Sequence, residues 1–336
     1  MAESKLLNFH EDKSGMLIFG SKKFQKKIKE QLDKKPVTLC NKPMNLFESE
    51  RYLGEILGSS LSQSVFLTIQ KRKSIVQRLI SEIRVTVEDC RSNSVGGLLV
   101  GFEIWSKAVI PFLFNNAGCW FEMPKKALNL LNSLTHSFYR SIFRSPKGTP
   151  LVSYYWDSGH LLNENYIIQE KVLFSHHLAL LPDSALAKEI YLKQKNEGIK
   201  GPVSEYDKLL ELLNIRGDPS MYSRKHFRSL VKSRVHEKNK ADLLIQMRTY
   251  KKLEVDKLSS ESYGQKSYLS SMKISEARTF FSARSMMLST VKYNFKGNPV
   301  YAANEYKCEC GDLDTQANLV TCRLYEHLRE GLDLLN

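Results

Sequence analysis

The chain has 336 residues, enough for about two domains with a substantial buried core. Apolar residues make up 42% and charged residues 26%, which excludes a wholly disordered chain. Fifty Lys and Arg stand against 36 Asp and Glu, a net charge of +14. That excess suits a polyanionic partner, nucleic acid or an anionic membrane surface, and on charge alone it suits a basic solvated surface equally well.

The first 60 residues read as short strands and turns. The apolar run over 15–20, bounded by glycines, predicts a strand, and 24–32 predicts a short basic helix. Seven lysines lie within 22–35, against Glu30 and Asp33. Residues 51–58 are again extended and closed by glycine. From Ser62 the period changes: Val65, Ile69, Ile75, Val76, Leu79, Ile80, Ile83 and Val87 recur at helical spacings, with Lys71, Arg72, Lys73, Arg78 and Arg84 filling the other face. Further helices are predicted over 97–116, 125–143, 163–181, 184–197 and 204–213, separated in several places by Pro146, Pro150, Pro182 and Pro202. Residues 216–257 carry twelve Lys and Arg against five Asp and Glu, a local net of +7. Within them Arg224, Arg228 and Lys232 follow i, i+4, i+8 and form one basic stripe, joined by Lys225 and Arg234.

The predicted class is mainly α: a small α/β piece, a helical bundle, a basic helical region and a short Cys-rich element. The corresponding divisions are 1–60, 61–200, 201–300 and 301–336, with a soft boundary near 198–219.

The most apolar segment, 95–120, is interrupted by Glu103, Lys107, Pro111, Asn115 and Asn116, so it reads as a core helix and no membrane partner is expected. No apolar run followed by a small-residue cleavage site opens the chain, and six cysteines in this length make no disulfide framework. A reducing intracellular compartment, nuclear or cytoplasmic, is the expectation. Phosphate loops, zinc-protease helices and nucleophile elbows are missing, and no catalytic residue is assigned. His176-His177, in an apolar helical stretch, reads as packed core or helix surface rather than a ligand pair.

Several blocks, taken in order, carry a family resemblance. Phe9-His10-Glu11-Asp12-Lys13-Ser14-Gly15 followed by a strand, and then Tyr52-Leu53-Gly54-Glu55-Ile56-Leu57, resemble the last two palm motifs of non-LTR (jockey-like) retrotransposon reverse transcriptases. The helical stretch from Ser62 then resembles the thumb. Ile110-Pro111-Phe112, the segment 146–150, the block Ser275 through Met286 and the tail Leu328 through Leu334 follow in the family's order.

The resemblance implies that Lys13 sits near an incoming nucleotide's phosphates and that Tyr52, Leu53 and Gly54 form a primer-grip hairpin. It also implies RNA or DNA template–primer as a non-sequence-specific partner, held through phosphates. The carboxylates that hold two magnesium ions in the complete parent enzyme belong to strands expected before residue 1, in an upstream polymerase segment. The chain alone is therefore expected to be inactive as an RNA-directed DNA polymerase. The basic residues give this expectation an electrostatic footing. Tyr222, Phe227 and Tyr250, interleaved with them, either stack on unpaired bases or anchor the core.

The family's Cys-rich element binds zinc with three thiolates and a histidine. Here Cys308, Cys310 and Cys322 are present, Asn318 stands at the histidine's position, and His327 is the available imidazole. Zinc is a possible cofactor, with vestigial cysteines as the alternative. Two other readings stay open: a helical protein–protein adaptor, suggested by an unsatisfied sheet edge in the first 60 residues, and a retroelement relic without function.

Overall fold

The computed structural model describes residues 15–39, 42–52, 55–90, 95–121, 123–199, 201–250, 263–285, 308, 310–312 and 322–323, and it is mainly helical with a small N-terminal strand region. The chain divides into two units that interleave along the sequence, where composition divides it linearly. The first comprises 1–79, 107–135 and 161–239, and the second 80–106, 136–160 and 240–336. Among the described residues no helix is long and apolar enough to cross a membrane.

In the first unit, β1 (Gly15–Leu17) is followed by α1 (Lys22–Lys34), whose first turn is capped by the Ser21 hydroxyl accepting from Phe24 N–H. After β2 (Thr38–Leu39) and β3 (Lys42–Pro43), β4 (Asn45–Phe47) returns to pair in parallel with β1, Met16 opposite Leu46. Then β5 (Ser49–Tyr52) and β6 (Glu55–Gly58) pair antiparallel, Tyr52 opposite Glu55 and Ser49 opposite Gly58.

In such a ladder alternate amides point away from the partner strand and need another acceptor. The long helix α2 (Leu61–Asp89) supplies it: Ile56 N–H donates to Thr68 Oγ1 and Gly58 N–H to Ser64 Oγ, each at 2.8 Å. Ser64, Thr68 and Arg72 are spaced i, i+4, i+8, so one polar stripe of α2 reads the outer edge of β6.

The predicted helix over 97–116 is interrupted. It runs as α3 (Gly97–Ile104), a π-helical turn (Trp105–Val109) and α4 (Ile110–Leu113), with Pro111 in the first turn of α4. Proline has no N–H to give, and a widened turn is how the backbone absorbs the missing bond. Helix α5 (Lys125–Phe143) follows its predicted bounds, and α6 (Leu151–Ser158), which the sequence reading did not foresee, follows Pro150.

The rest of the first unit is built on α7 (Asn163–Ala179), α8 (Leu186–Asn196), α9 (Pro202–Leu212) and the start of α10 (Arg224–Arg248). Val172, Leu210, Leu213, Ile215, Phe227, Val231 and Val235 form its apolar core. His176 is buried there, stacked on Phe227 at 4.2 Å and donating from Nε2 to Tyr222 O at 3.0 Å, so it is a satisfied core histidine. Gly118 lets α7 approach closely, because a Cβ there would lie 2.6 Å from the Phe174 Cβ. Asn239 lies one helical step beyond Val235, fully buried, and its Oδ1 accepts from Leu162 N–H and Asn165 Nδ2, both at 2.8 Å. It thus satisfies the backbone N–H of Leu162, the cap residue of α7, and the side-chain amide of Asn165 in the first turn.

The second unit is an aromatic core. Tyr139 stacks parallel on Tyr154 at 5.2 Å, Phe143 on Phe281 at 4.0 Å, and Phe102 meets Phe138, Tyr139 and Phe143. Two short helices, α11 (Tyr268–Ser271) and α12 (Ile274–Arg284), complete it. Arg284 grips the buried Asp157 with both carboxylate oxygens engaged, Nε to Oδ2 at 3.1 Å and Nη2 to Oδ1 at 3.2 Å, while Tyr268 OH donates to Oδ2 at 2.9 Å. Burial pushes the Asp157 carboxyl above its usual range despite Arg284 and Tyr268 drawing it down. Gly159 ends α6 at φ 73°, a left-handed position where a Cβ would also meet Gln265 N at 2.7 Å. His160 sits inside this core, its Nδ1 2.7 Å from Tyr139 OH and its Nε2 3.0 Å from Ser106 Oγ.

Two outcomes follow from these buried polar groups. Asn239→Ala leaves the Leu162 amide and the Asn165 side chain short of an acceptor, and a urea titration should show a loss of about 2–3 kcal/mol; a change within experimental error would refute the pinning role. Burial lowers the His160 pKa to about 4. The unfolded imidazole titrates near 6.5, so the unfolded chain takes up the proton first as pH falls. His160 therefore costs no stability above about pH 6.5, and about 3 kcal/mol is lost on descending to about pH 4. The difference between wild type and His160→Gln should accordingly change with pH over that window, and a pH-independent difference would contradict it.

Candidate functional site

Two features carry functional chemistry: rows of exposed cations in the first unit and a cysteine turn in the second. On α10, burial of Phe227, Val231 and Val235 fixes the helix's rotation, so Arg224, Lys225, Arg228 and Lys232 are exposed. Among the described residues none of these four is held in an ion pair. Successive members of the Arg224–Arg228–Lys232 stripe are separated by about 6 Å along the axis, on the scale of neighbouring phosphates along a strand. Arg234 differs, being half-buried and paired with Glu237 at 3.0 Å.

The α1 helix is a second basic surface. Phe24, Ile28 and Leu32 make its apolar stripe, and Lys22, Lys23, Lys26, Lys27 and Lys29 are all exposed. The lysine count of this segment is plain in the sequence. No residue of α1 is buried: Phe24 is exposed and Ile28 and Leu32 are half-buried.

Helix α2 separates residues that the sequence grouped together. Lys71, Lys73 and Arg78 are exposed on the part of the helix within the first unit, and Arg84 is exposed on the part within the second. Arg72 is not on that face. It is buried, with Nη2 2.6 Å from Glu55 Oε1 and Nη1 donating to Leu113 O at 3.1 Å and Asn115 O at 3.2 Å. Its guanidinium also lies 5.9 Å from the Phe112 and Trp120 rings. Asn116 Nδ2 donates to the same Glu55 oxygen at 3.1 Å. Arg72 thus closes the Ser64–Thr68–Arg72 stripe and is withdrawn from phosphates.

Tyr52 ends β5 with 62% of its surface exposed, while Leu53, Gly54 and Lys13 lie outside the described residues. Of the interleaved aromatics, Phe227 is core. Tyr222 is half-buried with its OH donating to Arg216 O at 2.8 Å, and Tyr250 is exposed.

In the second unit the Sγ atoms of Cys308, Cys310 and Cys322 lie within 4.8 Å of one another and form a group able to hold a metal ion. Cys308 and Cys322 are 3.7 Å apart at sulfur. A disulfide needs about 2.05 Å, whereas two thiolates on a tetrahedral ion with Zn–S near 2.3 Å are separated by about 3.8 Å. The donor set and its spacing therefore fit a tetrahedral thiolate site. The turn that presents Cys308 and Cys310 is closed by Gly311 N–H donating to Cys308 O and Cys308 N–H donating to Asp312 O, both at 2.8 Å. Asn318 and His327 lie outside the described residues. No protein-family model, curated protein or solved structure matches the chain.

The contrast between Arg72 and its neighbours is open to measurement. Arg72→Met should lower stability by about 2–3 kcal/mol, because it takes the guanidinium from the Glu55 carboxylate and from the Leu113 and Asn115 carbonyls. It should leave the salt dependence of nucleic-acid affinity unchanged; a slope reduced by about one, with stability intact, would return Arg72 to the phosphate-binding set.

Proposed function

We propose that the chain binds RNA or DNA through its phosphates, without reading sequence, as the template–primer-grasping C-terminal part of a non-LTR retrotransposon reverse transcriptase. The observation that carries this reading is the α10 stripe: four exposed, unpaired cations on a helix whose rotation is fixed by a buried apolar row. Cations already neutralised by carboxylates release no counterions from a nucleic acid, and among the described residues these four have no carboxylate partner. The lysines of α1 extend the same chemistry. The family assignment is supported by the order of the sequence blocks, from the segment before β1 to the tail after the cysteines. A nuclear or cytoplasmic setting agrees with it, since thiols stay reduced there.

We assign the metal of the cysteine turn as zinc. Thiolates are its preferred soft donors, no redox step is asked of the ion, and the 3.7 Å sulfur separation suits its tetrahedron. Zinc would here tie Cys322 to the 308–312 turn.

A protein-adaptor role is favoured by one separate observation. The β1–β4 pair has two strands, and Phe19, Phe24, Val37 and Leu46 nearby are exposed. Salt separates the two roles, because apolar docking is nearly insensitive to it.

The test is fluorescence anisotropy on two unrelated RNA sequences and an RNA–DNA hybrid across a salt series. Four phosphate contacts predict an affinity loss of about a hundredfold between 50 and 200 mM salt. The combined variant Arg224→Gln, Lys225→Gln, Arg228→Gln, Lys232→Gln should weaken all three probes alike and reduce the slope by about three to four. Binding that ignores salt, or a variant with an unchanged slope, would refute the proposal.

A further inference from the structure

We propose that the Asp312 carboxylate is the fourth ligand of the metal held by Cys308, Cys310 and Cys322, completing a site of three sulfurs and one oxygen; this rests on the zinc reading above. Gly311 N–H to Cys308 O and Cys308 N–H to Asp312 O, both at 2.8 Å, together with Gly311 at φ 94°, define a tight turn followed by a glycine bulge. In that arrangement Cys308 and Asp312 are directly opposed across the ribbon and exchange a backbone hydrogen bond. Opposed residues project to the same face, with Cβ atoms about 4.5–5.5 Å apart. The bulge therefore sets a carboxylate beside a thiol on one side of the turn, and glycine is the residue that tolerates its backbone.

In the structure the carboxylate is turned toward the other thiol of the turn. Asp312 Oδ2 is 3.8 Å from Cys310 Sγ, against about 3.5 Å for the sulfur–oxygen edge of a zinc tetrahedron. Asp312 falls outside the group of thiols that lie mutually within 4.8 Å, so the carboxylate stands on the Cys310 side of it. Side-chain rotation on an exposed residue is the movement that binding asks for.

Chemistry favours it over the amide at Asn318. A carboxylate is an established zinc donor, whereas a neutral amide oxygen is a poor one. Charge also permits it. Three thiolates and one carboxylate leave the zinc site at −2, within a chain whose net charge is +14.

The full chain is purified with zinc, and its zinc content and affinity are measured by competition with a chromophoric chelator. Cobalt(II) substitution reports the ligand set through its visible absorption. The chains compared are wild type, Asp312→Ala, Asp312→His, His327→Ala and Cys310→Ser. The expected result is one zinc per wild-type chain, an affinity about a hundredfold or more weaker in Asp312→Ala, and no change in His327→Ala. Asp312→His should restore binding, with the cobalt spectrum shifted toward a three-sulfur, one-nitrogen site. One zinc retained by Asp312→Ala at wild-type affinity would overturn the proposal while leaving the zinc reading intact, whether or not His327→Ala loses the metal. A wild-type chain that binds no more zinc than Cys310→Ser would overturn both.

Discussion

The rotation of one helix governs the functional reading. Along α10 the residues Phe227, Val231, Val235 and Asn239 recur every fourth position and are fully buried, three of them as apolar core and the last through two hydrogen bonds to the start of α7. Burial of those four leaves Arg224, Lys225, Arg228 and Lys232 no direction but outward. The cations are thus held as a row by side chains that carry no charge. Asn239 contributes direction as well as energy, because an unpaired amide in that core would be costly and only one helix register satisfies it.

The same requirement, that buried polar groups find partners, divides the remaining charges into two populations. Arg72 and Lys171 are buried and Arg284 is half-buried; they pair with Glu55, Glu205 and Asp157, and each joins segments distant in sequence. These are joints of the fold. The lysines of α1 and the outer residues of α10 lie on the surface and stabilise little, which frees them to meet a polyanion. Net charge alone overstates the exposed basic surface, because it counts both populations.

Helices with a single apolar stripe were legible in the sequence. The bounds of α5 follow from its periodicity, and α7, α8 and α9 fall within two residues of expectation at each end. Helix α6 was missed for a physical reason: its positions from Val152 to Ser158 are all buried, so it has no polar face and no period to read. The π turn before Pro111 was not legible: apolar periodicity predicts one helix over 97–116. In Lys71-Arg72-Lys73 three cations are adjacent, and successive residues rotate by about 100°, so only the middle one faces β6. Choosing it required the Ser64–Thr68–Arg72 spacing to be read against a strand whose position the sequence does not state. The interleaving of the two units is likewise a property of long-range contacts, which leave no local mark on composition. At the cysteines the spacing was visible. The opposed pairing of Cys308 with Asp312 was not, because it depends on the bulge at Gly311.

The account rests on the outer row of α10 meeting phosphates. Lysine footprinting tests this most directly: the chain is treated with an acylating reagent, with and without RNA at low salt, and modification is read residue by residue. The account predicts that RNA protects Lys225 and Lys232, that salt removes the protection, and that the buried Lys171 reacts in neither case. Lys225 and Lys232 remaining equally reactive while the RNA is bound would contradict it.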